Sequence, residues 1–159
     1  MESLYVICVD DQREVLTAVV SDLEPLSSWL QIEGCESADE AFDLIEELDA
    51  EGQHIALVIS DHMMPDKTGV ELLKDIHEDG RYPNTKKVLL TGQATHGDTI
   101  EAINQAGVQH YFEKPWQAKQ LIDTVRILVT RFVFDNKLDH LAYVDYLDPQ
   151  TVFERLKIQ

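Results

Sequence analysis

Five side chains of this sequence could together handle a phosphoryl group: the carboxylates of Asp10, Asp11 and Asp61, the hydroxyl of Thr91 and the ammonium of Lys114. Each stands at or just past the end of a short apolar run. Leu4 to Val9 leads into Asp10-Asp11, Ile55 to Ile59 into Asp61, Lys87 to Leu90 into Thr91-Gly92, and Val108 to Phe112 into Glu113-Lys114-Pro115. Three carboxylates within a few ångströms of one another raise each other's pKa unless a cation intervenes. Oxygen ligands without Cys or clustered His suit a hard ion, Mg2+ ahead of Zn2+. One ammonium and one hydroxyl then grip phosphoryl oxygens. Taken singly, a strand-end Asp is more often a helix cap or a surface charge; the set carries the argument.

For the set to meet, the runs must be strands of one sheet. The run ending at Asp61 is β-branched and uninterrupted, as expected of a strand buried on both faces. Between the runs lie amphipathic stretches. Val15, Val19 and Leu23 step by four, with Pro25 near the end of that helix. Ser37 and Glu40 are spaced as a capping box, and Ala41, Phe42, Leu44, Ile45 and Leu48 form the apolar side of the helix that follows. Val70, Leu72, Leu73 and Ile76 mark a third helix, Asp98 to Ala106 a fourth stopped by Gly107, and Gln117 onward a fifth. Leu30 to Glu36 supplies a weaker strand. Strand and helix therefore alternate five times. Right-handed crossovers turn that alternation into an α/β, doubly wound, five-stranded parallel sheet covered on both faces. Such sheets bind ligands beyond the carboxyl ends of their strands, where the five side chains stand.

The chain has 159 residues and a net charge of −17. Residues 1–116 hold 24 acidic and 7 basic side chains, whereas residues 117–159 hold six of each. So negative a field repels nucleic-acid backbones and suits protein partners, so no direct nucleic-acid binding is expected. No apolar run is long enough to span a membrane, and no basic region followed by an apolar stretch opens the chain. Cys8 and Cys35 are expected to be two buried thiols in a reducing, cytoplasmic setting; neighbouring strands leave a bridge conceivable.

In order and spacing, Val9-Asp10-Asp11, Asp61-x-x-Met64-Pro65-x-x-x-Gly69, Thr91-Gly92 and Tyr111-x-x-Lys114-Pro115 resemble the receiver domain of bacterial two-component response regulators. The resemblance covers about residues 3–132. It implies a flavodoxin-like strand order 2-1-3-4-5 and Asp61 as phospho-acceptor. It implies a Mg2+ held by Asp11, Asp61 and the Met63 backbone carbonyl, with Asp10 acting through water. Lys114 and Thr91 would bind phosphoryl oxygens, and the Lys114–Pro115 bond would be cis. Thr91 and Tyr111 would be the switch residues that reshape the helix 4–strand 5–helix 5 face. The implied partners are a sensor histidine kinase or histidine phosphotransfer protein and an output domain or effector.

Two positions depart from the commonest pattern. Met63 and Gln93, two residues beyond Asp61 and Thr91, border the path of hydrolytic water in this family and are expected to set the phosphoryl lifetime. His62 adjoins the acceptor but, by strand alternation, points away from it. Trp116 is expected to be a surface aromatic on the output face. Beyond the receiver, residues 1–132, the segment 133–159 is a helical C-terminal extension, with Asp148-Pro149 as a helix start. It is either a linker or arm packing back on the receiver, or a homodimerisation element controlled by phosphorylation.

Other functions on this framework fit less well. A phosphorelay intermediate would pass the group to a histidine domain instead of switching an output. A haloacid-dehalogenase phosphatase would carry a general-acid Asp where Met63 stands. A flavodoxin would want a phosphate-cradling loop where Asp10-Asp11 would repel the ligand. The expectation is a signalling module that is not an enzyme apart from self-catalysed phosphotransfer and autodephosphorylation at Asp61. The Leu-Thr-Gly-Gln and Glu-Lys-Pro-Trp variants are similar to those of receivers joined to cyclic-dinucleotide hydrolases.

Overall fold

A computed structural model describes residues 1–92 and 97–158, with residues 97–99 described by backbone alone. The strands are β1 (Leu4–Val9), β2 (Leu30–Cys35), β3 (His54–Asp61), β4 (Lys86–Thr91) and β5 (His110–Glu113). The helices are α1 (Arg13–Asp22), α2 (Ala38–Ala50), α3 (Gly69–Glu78), α4 (Gly97–Gln105), α5 (Ala118–Asp135) and α6 (Pro149–Lys157). Short 3-10 turns occupy Glu24–Leu26 and His140–Tyr143. All strand pairs are parallel, in the order β2-β1-β3-β4-β5. The fold is the doubly wound sheet with the flavodoxin-like order 2-1-3-4-5 and a C-terminal helical extension.

Side-chain alternation along the strands builds two cores. Leu4, Val6 and Cys8 of β1 join Leu57, Ile59, Val88, Leu90 and Phe112 against α1 and α5. Ile7 and Val9 join Ile55, Val58 and Leu89 against α2, α3 and α4. β3 is buried along nearly its whole length, which explains its unbroken apolar sequence.

Its pairing with β1 slips by one residue, from Tyr5 opposite Ile55 to Val6 opposite Leu57, so Ala56 is the extra residue of a bulge. That slip decides which face Asp61 takes. Beyond it, Leu57, Ile59 and Asp61 lie on the α1–α5 side, while Val58 and Ser60 face α3.

Local chemistry fixes the helix ends. The expected box at α2 forms with a shift. Ser37 accepts from the Glu40 amide at 3.1 Å, but the Glu40 carboxylate takes the Glu36 amide at 2.9 Å instead of that of Ser37. A full capping box is found at α3, between Thr68 and Glu71. Gly107 has φ +67, as a left-handed stop after α4 requires. Cys8 and Cys35 are both buried and free. Cys8 pairs across from Gly34 while Cys35 lies opposite Val9, so the two thiols point to opposite faces of the sheet.

The chain after α5 folds back on the body. Tyr143 is buried and donates to the Glu2 carbonyl at 2.6 Å, and Tyr146 stacks on Trp29 with ring centroids 5.6 Å apart. Asp148 caps α6 through the Thr151 amide, and its own amide donates to Thr130 Oγ1 at 3.0 Å. Leu147 and Tyr143 belong to the α1–α5 core.

Candidate functional site

The carboxyl edge of the sheet is built by hydrogen bonds that carry β1, β3 and β5 one residue past their ends. The Asp10 amide donates to Cys35 O at 3.1 Å, His62 to Leu90 O at 3.3 Å, and Lys114 to Thr91 O at 3.0 Å. Asp10, Asp61 and Lys114 then share the α1–α5 side of the sheet. Oxygens of Asp10, Asp11 and Asp61 lie within 4.8 Å of one another. Asp10 and Asp61 are buried, while Asp11 faces solvent. Lys114 reaches over the edge to Asp61 Oδ1 at 2.6 Å and Asp10 Oδ2 at 3.5 Å. The Lys114–Pro115 bond is cis.

Burial pushes the Asp10 carboxyl above its ordinary range. The Gln12 amide, donating to Oδ1 at 2.8 Å, opposes that shift, and the neighbouring Asp61 charge adds to it. For Lys114, burial alone would lower the pKa. The hydrogen bond and charge of Asp61 outweigh burial, so the ammonium is held above its usual value and stays charged at neutral pH. The edge therefore gathers three carboxylates around one cation, with negative charge in excess.

The loop after β3 is held against Asp61 by a glycine. Gly69, the first residue of α3, donates to His62 O at 2.8 Å. A Cβ at Gly69 would lie 1.9 Å from the Asp61 backbone oxygen and 2.8 Å from Ser60 Oγ, so no side chain fits. Ser60 Oγ itself donates to that Asp61 oxygen at 2.8 Å. In sequence Gly69 has only the appearance of a turn residue, and Ser60 that of one more strand position. Its signal in the sequence is a hydroxyl that closes an apolar strand run.

Of the remaining expected residues, Thr91 is buried at the end of β4, on the side facing away from Lys114. Tyr111 lies opposite Leu89 on the same side as Thr91 and is 42% exposed. Met63 is 67% exposed in the loop beside Asp61. Gln93 lies outside the described residues. His62 is not among the groups that could share a metal with Asp61. Trp116 differs from expectation. It is half-buried, packs against the α1–α5 core, and donates from Nε1 to Asp22 Oδ2 at 2.7 Å. The indole ties the β5–α5 connection to α1 because its apolar body has the core beneath it and Asp22 satisfies its one donor.

The family description of the response regulator receiver domain matches residues 6–126. The chain belongs to that family. As a receiver it is 35% identical over 121 residues to the hydrogenase transcriptional regulatory protein HoxA of Cupriavidus necator, covering 76% of this chain and 23% of that one. It is 33% identical over 131 residues to response regulator Rre1 of Synechocystis, covering 82% of this chain and 53% of that one. The receiver thus spans about a quarter and about half of these relatives. Among solved structures, the signal receiver domain of an HD domain-containing protein from Pseudomonas fluorescens superposes with a TM-score of 0.74 at 26% identity, over 86% of this chain and 94% of that one. A CheY-like receiver from Methanospirillum hungatei gives 0.70 at 24%, over 84% and 99%, a likeness of fold.

Receiver domains are signalling domains of two-component systems that are phosphorylated by histidine kinases and regulate output domains. They bind Mg2+ at an acidic pocket, and the donor set of Asp10, Asp11 and Asp61, all hard oxygens, fits that ion. No helix among the described residues is long and apolar enough to cross a membrane.

The raised Asp10 pKa gives a prediction. A carboxyl whose folded pKa exceeds its unfolded value loses stability as pH rises through that interval, so ionised Asp10 is a penalty at neutral pH. Asp10→Asn retains an acceptor for the Gln12 amide. It is expected to raise the melting temperature of the metal-free protein at neutral pH. The gain should vanish below the pH where the unfolded carboxyl protonates. The same variant should bind Mg2+ more weakly in a calorimetric titration. An unchanged or lower melting temperature at neutral pH would contradict the assignment of Asp10 as a destabilising charge.

Proposed function

We propose that this receiver accepts a phosphoryl group on Asp61 from phosphohistidine and thereby switches its α4–β5–α5 face. The observation that supports it best is the Asp61–Lys114–Asp10 cluster at one strand edge. In the reaction, a carboxylate oxygen of Asp61 attacks phosphorus, the phosphorus–nitrogen bond of a phosphohistidine whose other ring nitrogen carries a proton breaks, and the bonding pair stays on the ring, which leaves as neutral imidazole. Lys114 holds the developing charge on the phosphoryl oxygens and orients the Asp61 carboxylate before attack. Mg2+, when bound by Asp11, Asp61 and the Met63 carbonyl with Asp10 acting through water, supplies charge neutralisation among the crowding anions.

The product carries about 1.5–2 additional negative charges. Charge-assisted hydrogen bonds from Thr91 and Lys114 at roughly 1.5–3 kcal/mol each give about 3–6 kcal/mol between states. A shift from 1:99 to 99:1 needs about 5.5 kcal/mol, so two contacts suffice with little reserve. Thr91 and Tyr111 share the α4 side of the sheet, so movement of Thr91 toward the phosphate opens the space into which Tyr111 turns. The functional division is residues 1–132 as receiver and 133–159 as extension, in a cytoplasmic setting.

Met63 and Gln93 tune hydrolysis, Met63 by shielding the phosphoryl group with an exposed apolar side chain. A phosphoryl half-life unchanged in Met63→Asn, Gln93→Glu would remove that assignment. The output is a protein or a joined domain; the HD domain of the Pseudomonas fluorescens relative is an example of the latter. Phosphotransfer profiling against sensor kinases, followed by chase with histidine phosphotransfer domains, tests the proposal. Transfer to Asp61 that persists identifies a switch, whereas rapid onward transfer identifies the phosphorelay alternative.

A further inference from the structure

The Lys114 ammonium meets Asp61 Oδ1 at 2.6 Å from the end of a weakly held strand. β5 has four residues, lies at the edge of the sheet beside β4, and buries one side chain, Phe112. The four-carbon stem of Lys114 is itself flexible. Its amide bonds Thr91 O, and backbone bonding resumes with Leu121 donating to Gln117 O in the first turn of α5. Among the described residues, the hydrogen bond that fastens the connection between them to another element is made by a side chain. Trp116 Nε1, two residues beyond Lys114, donates to Asp22 Oδ2 at 2.7 Å.

Helix energetics do not account for Asp22. It is the last residue of α1, where the negative end of the helix dipole disfavours a carboxylate and the last turn holds no basic residue to offset it. What it gains there is the indole, whose ring is half-buried against the α1–α5 core. The same helix begins at Arg13, directly after the carboxylates, with the Gln12 amide on Asp10 Oδ1 at 2.8 Å. The bond therefore joins the helix that starts at Asp10 and Asp11 to the loop that carries the cation.

We infer, on the reading of Lys114 and Asp61 as the phosphotransfer pair, that Asp22 and Trp116 are positioning residues for that step. Their bond anchors the β5–α5 connection to α1 and thereby holds the Lys114 ammonium over Asp61. Both act through Lys114, so their effect on the rate requires that side chain. The three carboxylates lie at the ends of β1 and β3, outside the anchored connection, and keep their places without it.

Initial rates of phosphotransfer from acetyl phosphate with Mg2+, measured on the full chain, test this. Trp116→Phe keeps an apolar ring and removes the donor, while Asp22→Ala removes the acceptor. Each slows transfer about 10- to 100-fold, as a displacement of up to about 1 Å does. The double variant is no slower than either single one, because the same bond is lost once. Asp22→Asn keeps an acceptor oxygen and restores most of the rate. Mg2+ affinity, read by calorimetry, is not weakened in any of them. In a Lys114→Met background, Trp116→Phe brings no further slowing. Asp22→Ala places a good helix former at a half-buried helix end, so it folds and decides the matter even if Trp116→Phe does not. Wild-type rates in both single variants overturn the inference. So does slowing that is the same with or without Lys114, or that comes with weaker Mg2+ binding, since either marks a merely structural role. A Lys114→Met protein that transfers at the wild-type rate overturns the reading of Lys114 beneath it, and that result is obtained without any variant of Asp22 or Trp116.

Discussion

Gly69→Ala will unfasten α3 from the end of β3 and cost the protein about 3 kcal/mol, the upper range for overpacking. The reason is distance. The new Cβ would lie 1.9 Å from the Asp61 carbonyl oxygen, a backbone atom that cannot rotate away as a flexible side chain would. Either α3 moves out, breaking the Gly69 amide bond to His62 O, or the end of β3 moves and takes Asp61 out of line with Lys114. Both routes impair phosphotransfer, and a displacement near 1 Å is enough to cost roughly 100-fold. Gly80→Ala, where nothing lies within 4 Å of the built Cβ, is the control and should fall within about 0.5 kcal/mol of wild type. Urea denaturation of the two variants checks the stability, and initial rates with a small phosphoryl donor check the chemistry. Equal effects at the two glycines would contradict the packing argument.

The second large effect is expected at Lys114. Lys114→Met removes the one side-chain cation that bridges Asp10 and Asp61 among the described residues. Loss of a preorganised charge facing a transferring group should slow phosphotransfer about 100- to 1,000-fold. The metal-free protein should also lose about 1–3 kcal/mol, the cost of a charged hydrogen bond whose partner stays buried. Because the Lys114 pKa is raised, the stability it contributes is present below its unfolded value and lost only as pH rises through the folded value. At neutral pH the contribution is therefore fully present in the wild type, and Lys114→Met should forfeit all of it. Adding Asp10→Asn to Lys114→Met should restore much of the stability by removing a neighbouring negative charge, while phosphotransfer stays slow. Lys114→Arg should keep stability and still transfer poorly, since a planar fork cannot replace a compact ammonium at a 2.6 Å contact. A Lys114→Met protein that transfers at the wild-type rate would remove Lys114 from the chemistry.

The architecture was legible because β3 and the runs around it differ so clearly from the amphipathic helices between them. The site was legible because its residues punctuate those runs. What escaped had no sequence signal of its own. The bulge at Ala56 lies inside a run apolar on both faces, so a one-residue slip left no trace in the pattern, although it decides which side of the sheet Asp61 faces. The Thr68–Glu71 capping box was hidden by the turn residues before it. Gly69 resembled a turn residue, while its role depends on an atom of Asp61 eight positions earlier. Trp116 looked like a surface aromatic because its partner, Asp22, is 94 residues away in sequence. The tail showed helical signals, yet its burial rests on Glu2, Trp29 and Thr130, which only the folded chain brings to it.

The central claim is that Asp61 is the residue modified, and chemistry specific to acyl phosphates tests it directly. The protein is incubated with Mg2+ and a small phosphoryl donor and then treated with borohydride, which reduces an aspartyl phosphate to homoserine. Peptide mass spectrometry locates the change. Homoserine at position 61 alone, absent from Asp61→Asn and absent without Mg2+, is the predicted result. Homoserine at Asp10 or Asp11, or a yield undiminished in Asp61→Asn, would contradict it.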